Sequence, residues 1–259
     1  MLYRMAIKEF LLGLKRDTRE SIIKPSDAIR TISSKTDLSH GLKVFVAMSV
    51  FTLLILSVFA FFKGLVLIPV DIAFNNLSFW NSVSRLISPI ALIIAIPFII
   101  VVGFVFSIIL NGIVWFVGKL LGGKSEFGKF YGTIIYVQTG LWLLFVVMSS
   151  LIALFLSIIK SVSAIFVLLN ITSIKSFAII IFDLISKIDP VIFSLISLIF
   201  SIVYLYYSVI FIKGLHDIST IRVILTILIP VVAMVAFIAI FIIILIVVGI
   251  SILQPMTPF

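Results

Sequence analysis

Five long runs without a charged side chain dominate the pattern of polar and apolar positions along this chain. They extend from Val44 to Phe62, Leu86 to Gly118, Phe130 to Ile159, Pro190 to Ile212 and Val223 to Phe259. Each run approaches or exceeds the roughly 20 residues that cross a bilayer as a helix. Lipid offers no partner to backbone amides, so the runs are predicted to be helices, and they lack the alternation of a membrane β-barrel.

The sequence therefore predicts an all-α, polytopic transmembrane helical bundle. The bundle is assigned to residues 44–259, with spans at about 44–66, 88–117, 130–159, 190–212 and 223–250. Residues 1–43 form a separate N-terminal segment. The composition of the chain agrees with a membrane protein, because 63% of the residues are hydrophobic and 11% are charged. A soluble domain has fewer hydrophobic and more charged residues. The chain has no cysteine, which excludes disulfides, thiolate nucleophiles and cysteine-ligated metal centres.

Basic residues predict the orientation. The N-terminal segment carries Arg4, Lys8, Lys15, Arg16, Arg19, Lys24, Arg30, Lys35 and Lys43. By the positive-inside rule this segment is cytosolic, and five spans then place the C-terminus outside. The net charge of +9 is concentrated near the ends of apolar runs, where it suits anionic lipid headgroups. The lipid bilayer is thus the predicted partner, and nucleic acid is not.

An amphipathic helix is predicted within the N-terminal segment. Ile7, Phe10, Leu11 and Leu14 recur at helical spacing, with most of the cations elsewhere around the helix. Two interpretations stay open. The helix attaches to the membrane surface or docks a partner, or it is a solvated helix packed on the inner loops of the bundle.

Residues 161–189 are apolar enough to form a sixth crossing, but that crossing would bring Lys175 near the middle of the bilayer. A central lysine costs roughly 3 kcal/mol on insertion scales. We therefore expect this stretch to be an amphipathic segment on or just above the outer surface, and we retain five spans.

The search for chemistry yields no catalytic, cofactor-binding or metal-binding residue, and no cofactor is predicted. His40 and His216 are the only histidines, and no aspartate or glutamate lies within the five apolar runs. Hydrolytic, phosphoryl-transfer and metal chemistry inside a membrane would require such groups, so the chain is not expected to be an enzyme.

Some polar and small residues do lie within the spans. Asn111, Gln138, Thr139, Tyr204, Tyr206 and Tyr207 could line a pathway for a neutral solute. Hydrogen bonding between helices and anchoring at the interface are the favoured explanation. Gly103 and Gly112 are expected to permit the close approach of a neighbouring helix.

Three segments flank or form the spans: IIKPSDAIRTIS before the first span, GGKSEFGKFYGTIIYVQTG at the third span, and GLHDISTIRVILTILIP before the last span. In this order they resemble the Ypt-interacting protein (Yip) family of five-span membrane proteins. The resemblance implies a cytosolic N-terminus and a non-enzymatic role. Eukaryotic members of the family associate with Rab-type GTPases and with one another in vesicle traffic, so a GTPase partner follows from the resemblance alone.

The leading hypothesis is a non-enzymatic integral membrane scaffold or adaptor, resembling the Yip family, that acts in membrane organisation or trafficking. Other membrane proteins, or further copies of the chain, would bind through its spans. The alternative is a channel or facilitator for a small neutral solute. As a multi-pass protein it would lie in the cell membrane of a prokaryote or archaeon, or in the endoplasmic reticulum or Golgi of a eukaryote.

Overall fold

A computed structural model of the chain describes the backbone of residues 2–74, 79–170 and 172–253, and the side chains of 9–74, 87–170 and 174–246. These ranges contain helices and no strand. In chain order the helices are α1 (Leu2–Ile23), α2 (Pro25–Ser33), α3 (Leu38–Val66), α4 (Ile68–Phe74), α5 (Phe79–Leu120), α6 (Phe127–Leu168), α7 (Thr172–His216) and α8 (Thr220–Leu253).

Within the described residues, five stretches of helix are long and apolar enough to cross a membrane. They are Leu38–Phe74, Ile87–Leu120, Phe127–Leu168, Ile174–His216 and Thr220–Ile246. The predicted fold class, an all-α bundle with five spans, is confirmed. The positions of the two termini relative to the membrane stay a prediction.

The buried core lies at one end of the bundle, which we call the head. The head consists of α1 and α2, residues 38–48 of α3, 118–141 of α5 and α6, and 207–226 of α7 and α8. Its two clusters of buried apolar residues take more members from α6 than from any other helix. From the N-terminal helices they include Leu14, Ala28, Ile29 and Ile32.

The first part of α6 forms the centre of the head. All side chains from Phe130 to Val137 are buried, as are Thr139, Gly140 and Leu141. A helix that is buried on every face must be surrounded by other elements. By contrast, the side chains of α8 are exposed throughout residues 231–246, so other helices cover little of this part of α8.

Local residues explain several helix ends in the head. The carboxylate of Asp37 accepts a hydrogen bond of 2.7 Å from the backbone N–H of His40, which caps the start of α3. Gly122 has a φ of +96° just beyond the end of α5, where glycine is favoured. Asp217 has a φ of 55° just beyond α7, in a conformation that aspartate tolerates better than most residues.

The described helical residues of the segment 161–189 belong to α6 and α7 rather than to a separate helix. The last turns of α6 run to Leu168, and α7 begins at Thr172 and continues through Pro190. The segment is therefore the tip of the α6–α7 hairpin, and its predicted outer location stays a prediction. At its base, Nζ of Lys160 lies 2.6 Å from Oδ2 of Asp189, with side chains only 16% and 25% exposed.

Candidate functional site

The two N-terminal helices are packed into the head through close contacts at glycines. A Cβ atom placed on Gly140 of α6 would lie 2.7 Å from Cγ2 of Thr18 on α1. A Cβ atom on Gly214 of α7 would lie 2.7 Å from Cδ1 of Ile29 on α2. The N-terminal segment thus holds two helices rather than the single amphipathic helix that the sequence predicted, and both contact the spans directly.

The apolar residues of α1 divide between two faces. Leu14 is buried in a core cluster with Tyr131 and Tyr136, and Phe10 packs against that cluster. Leu11, in contrast, is 52% exposed. Ile7 lies outside the residues whose side chains the structure describes. Packing on the bundle therefore accounts for one face of α1, and an exposed apolar face remains available to a membrane surface or a partner.

Hydrogen bonds join the start of α3 to α6 inside the head. The hydroxyl oxygens of Thr36 and Thr133 lie 3.0 Å apart, and both residues are buried. Nε2 of His40 lies 2.6 Å from the hydroxyl oxygen of Tyr136. These bonds satisfy polar groups that would otherwise be buried without partners, so they fix how α3 sits against α6.

The structure brings together two of the polar residues that the sequence singled out in the spans. The Asn111 side-chain N–H donates to Oε1 of Gln138 at 3.1 Å, and the Gln138 side-chain N–H donates to Oδ1 of Asn111 at 2.9 Å. Asn111 also donates to the carbonyl oxygen of Ser107 at 2.9 Å. Both amides are thus occupied by helix-to-helix bonds, as the favoured interpretation expected.

Of the remaining polar candidates, Tyr204 joins that pair, because its hydroxyl is hydrogen-bonded to the Gln138 side chain as well as to Ser208. The other three make their contacts elsewhere. Thr139 donates to the carbonyl oxygen of Ile135 in its own helix at 2.6 Å. The hydroxyl of Tyr207 donates to the carbonyl oxygen of Ile22, which ties α7 to the end of α1. Tyr206 is exposed. These contacts fasten helices to one another and to the N-terminal pair.

Sequence reasoning missed the burial of His216. Charged Lys213 and Asp217 lie near it in the sequence, but its side chain is fully buried and its ring centroid lies 5.1 Å from that of Phe130. A Cβ atom on Gly123 would lie 2.2 Å from Nδ1 of this ring, and one on Gly118 would lie 2.9 Å from Nε2. Neither ring nitrogen has a hydrogen-bond partner within the described part of the chain.

The connection between α5 and α6 meets the connection between α7 and α8 beside this imidazole. The backbone N–H of Lys124 donates to the carbonyl oxygen of His216 at 3.1 Å, and Arg222 donates to the carbonyl oxygen of Leu121 at 3.2 Å. Nζ of Lys124 also lies 3.0 Å from Oδ2 of Asp217, as an exposed ion pair. This arrangement cannot be predicted from the local sequence, because it depends on glycines that lie some 90 residues from His216 along the chain.

Among the residues that the structure describes, no group of three or more histidine, aspartate or glutamate side chains could hold a metal ion. No family model, curated protein or solved structure matches the chain. The five long apolar helices identify a multi-pass integral membrane protein in contact with lipid. Any finer statement of function must rest on the geometry of the head.

Proposed function

We propose that this protein is a non-enzymatic membrane scaffold whose head presents a docking surface to another protein at the membrane. The observation that carries the proposal is the packing of α1 and α2 against Gly140 and Gly214, which makes the N-terminal segment a part of the bundle. A rigid surface binds with less loss of conformational entropy than a free tail does. Resemblance to the Yip family supports the same role, and membership of that family is part of the proposal.

The contacts within the spans favour a scaffold over a solute pathway. Asn111 is buried, and its amide is held by Gln138 and Ser107. A neutral solute would have to break these bonds to use the same groups. A facilitator for a small neutral solute is therefore the competing function, and it makes a different experimental prediction.

A photo-crosslinking experiment tests the scaffold. A photoreactive amino acid replaces Thr31, which is exposed on α2, or Phe237, which is exposed on α8, and native membranes are irradiated. We expect a discrete protein adduct from position 31 and lipid adducts from position 237. Gly214→Leu, which would displace α2 through Ile29, should abolish the protein adduct.

A flux assay decides against the alternative. Purified protein in liposomes should pass no panel solute, such as glycerol or urea, faster than empty liposomes do. Saturable flux that is lost in Asn111→Leu would refute the scaffold in favour of a facilitator. Absence of any protein adduct from position 31 would also refute it. A topology reporter fused at Phe259 separately tests the predicted orientation, since a cytosolic signal would contradict a C-terminus outside.

A further inference from the structure

A groove of about 580 Å³ runs between α1 and α2. Four cationic side chains line it, and they outnumber the two carboxylates in the same lining, those of Glu20 and Asp27. The cations are Lys15, Arg16, Arg19 and Lys24. The groove therefore has a net positive charge and is suited to an anion.

Three of these cations take part in no ion pair within the described part of the chain. Arg16 lies 3.2 Å from the carboxylate of Asp17. Lys15, Arg19 and Lys24 form no ion pair with any side chain that the structure describes. The cations of the groove outnumber its carboxylates and repel one another, so an anion between them would stabilise the arrangement.

Apolar side chains stand beside the cations in the same groove. Leu12 and Ile23 both line it and are 59% and 60% exposed. Water is a poor environment for such side chains, and a lipid surface offers them an apolar one. A surface that combines cations with exposed leucine and isoleucine matches a phosphate group joined to a hydrocarbon chain better than it matches a free anion.

The groove also lies at the height where lipid headgroups should be. On α6, Gly140 contacts α1, and Lys160 belongs to the ion pair at the base of the hairpin. At the rise of an α-helix, these two residues are about 30 Å apart. On α7, Asp189 and Tyr207 are separated by about 27 Å on the same measure. Both values match the roughly 30 Å of a hydrocarbon core.

That core therefore fits between two polar levels. One level is the Lys160–Asp189 ion pair, and the other is the end of α1, where Tyr207 bonds to the carbonyl oxygen of Ile22. The groove residues adjoin this second level because they occupy the last turns of α1 and the start of α2.

We propose that the groove between α1 and α2 binds the phosphate headgroup of an anionic phospholipid from the leaflet that faces the head. Lys15, Arg19 and Lys24 surround the phosphate, while Leu12 and Ile23 contact the glycerol and the upper acyl chain. A bound lipid would tie the N-terminal helices to the membrane in addition to their contacts with α6 and α7.

The test uses the full chain in nanodiscs of phosphatidylcholine with and without phosphatidylglycerol, and native mass spectrometry counts the lipids that stay bound. The groove variant is Lys15→Gln, Arg19→Gln and Lys24→Gln together. We expect it to lose the preference for phosphatidylglycerol by about tenfold or more, since each cation near an anionic surface contributes about 1 kcal/mol, or about fivefold.

A matched variant removes the same charge elsewhere in the head. Arg30→Gln, Lys35→Gln and Lys43→Gln change three exposed cations outside the groove lining. This variant should retain the preference. An equal loss in both variants would overturn the proposal, because it would show general attraction to an anionic surface.

Two further results would also overturn it. Inorganic phosphate that displaces the bound lipid at millimolar concentration would point to a water-soluble anion as the natural occupant. If the wild-type protein showed no preference for phosphatidylglycerol, the groove would not be a selective site for an anionic phospholipid. Arg19→Gln alone guards against misfolding of the triple variant, and it should lower the preference by about fivefold while the helical content is unchanged.

Discussion

Gly132→Ala should destabilise the protein because α3 and α6 approach within backbone contact at this position. A Cβ atom on Gly132 would lie 2.6 Å from the carbonyl oxygen of Asp37 and 2.9 Å from Cβ of Thr36. A Cβ atom on the facing Gly41 would lie 2.8 Å from Cα of Gly132. Rotation of a side chain cannot relieve a clash with a backbone carbonyl, so α3 would have to move away.

The expected magnitude follows from three opposing terms. Alanine is favoured over glycine inside a helix by about 1 kcal/mol. Overpacking costs about 1–3 kcal/mol, and each weakened hydrogen bond costs about 1 kcal/mol. The bonds at risk are Thr36 to Thr133 at 3.0 Å and His40 to Tyr136 at 2.6 Å. The net loss should be about 2 kcal/mol, which lowers the Tm of a chain of this size by about 4–8 °C.

The assay is thermal unfolding followed by circular dichroism at 222 nm in one detergent. A fixed scan rate is needed because membrane proteins often unfold irreversibly. Gly13→Ala is the matched control, since a Cβ atom there would have no neighbour within 4 Å. It should leave the Tm unchanged or raise it by a few degrees. If Gly132→Ala were as stable as the wild type or the control, the close approach of α3 and α6 would be refuted.

Three further predictions use the same assay. Asn111→Leu and Gln138→Leu should each lower the Tm because each removes the hydrogen bonds that the two amides exchange, while the double variant should be more stable than the two losses predict; additive losses would contradict the reciprocal bond. Lys160→Met and Asp189→Leu should behave likewise, since either alone leaves a half-buried charge unpaired. His216→Phe should lower the Tm, because the larger ring must fit against Gly118 and Gly123, which already lie too close to the imidazole for a Cβ atom on either; an unchanged Tm would contradict this tight packing.

The number of spans could be predicted from sequence because the absence of charge over some 20 residues is a strong physical constraint. The ends of the helices were predicted less well. The third run was assigned to residues 130–159, whereas α6 extends from Phe127 to Leu168. Lys160 marks where the apolar run stops, but a lysine does not end a helix, so α6 continues past it as the hairpin tip.

The contacts of the head could not be predicted because they join residues far apart in the chain. Nothing in the sequence around Thr36 or Thr133 indicates a contact between them, and only the folded chain places their hydroxyls together. Glycines show the same limit. Gly103 and Gly112 were expected to permit close approach, yet a Cβ atom there would meet its nearest neighbour at 3.6 and 3.9 Å, which is ordinary contact. That expectation was wrong, and the close approaches lie in the head instead.

The location of these contacts has a physical reason. Lipid tails are as apolar as the side chains of a span, so packing spans together brings little gain from the hydrophobic effect. Helices that face water or the interface do gain by burying apolar surface. This difference explains why α8 is exposed along residues 231–246 while α6 is buried on all sides from Phe130 to Val137. It follows that substitutions in the head should dominate stability in detergent, and that Gly103→Ala, in a span, should shift the Tm far less than Gly132→Ala.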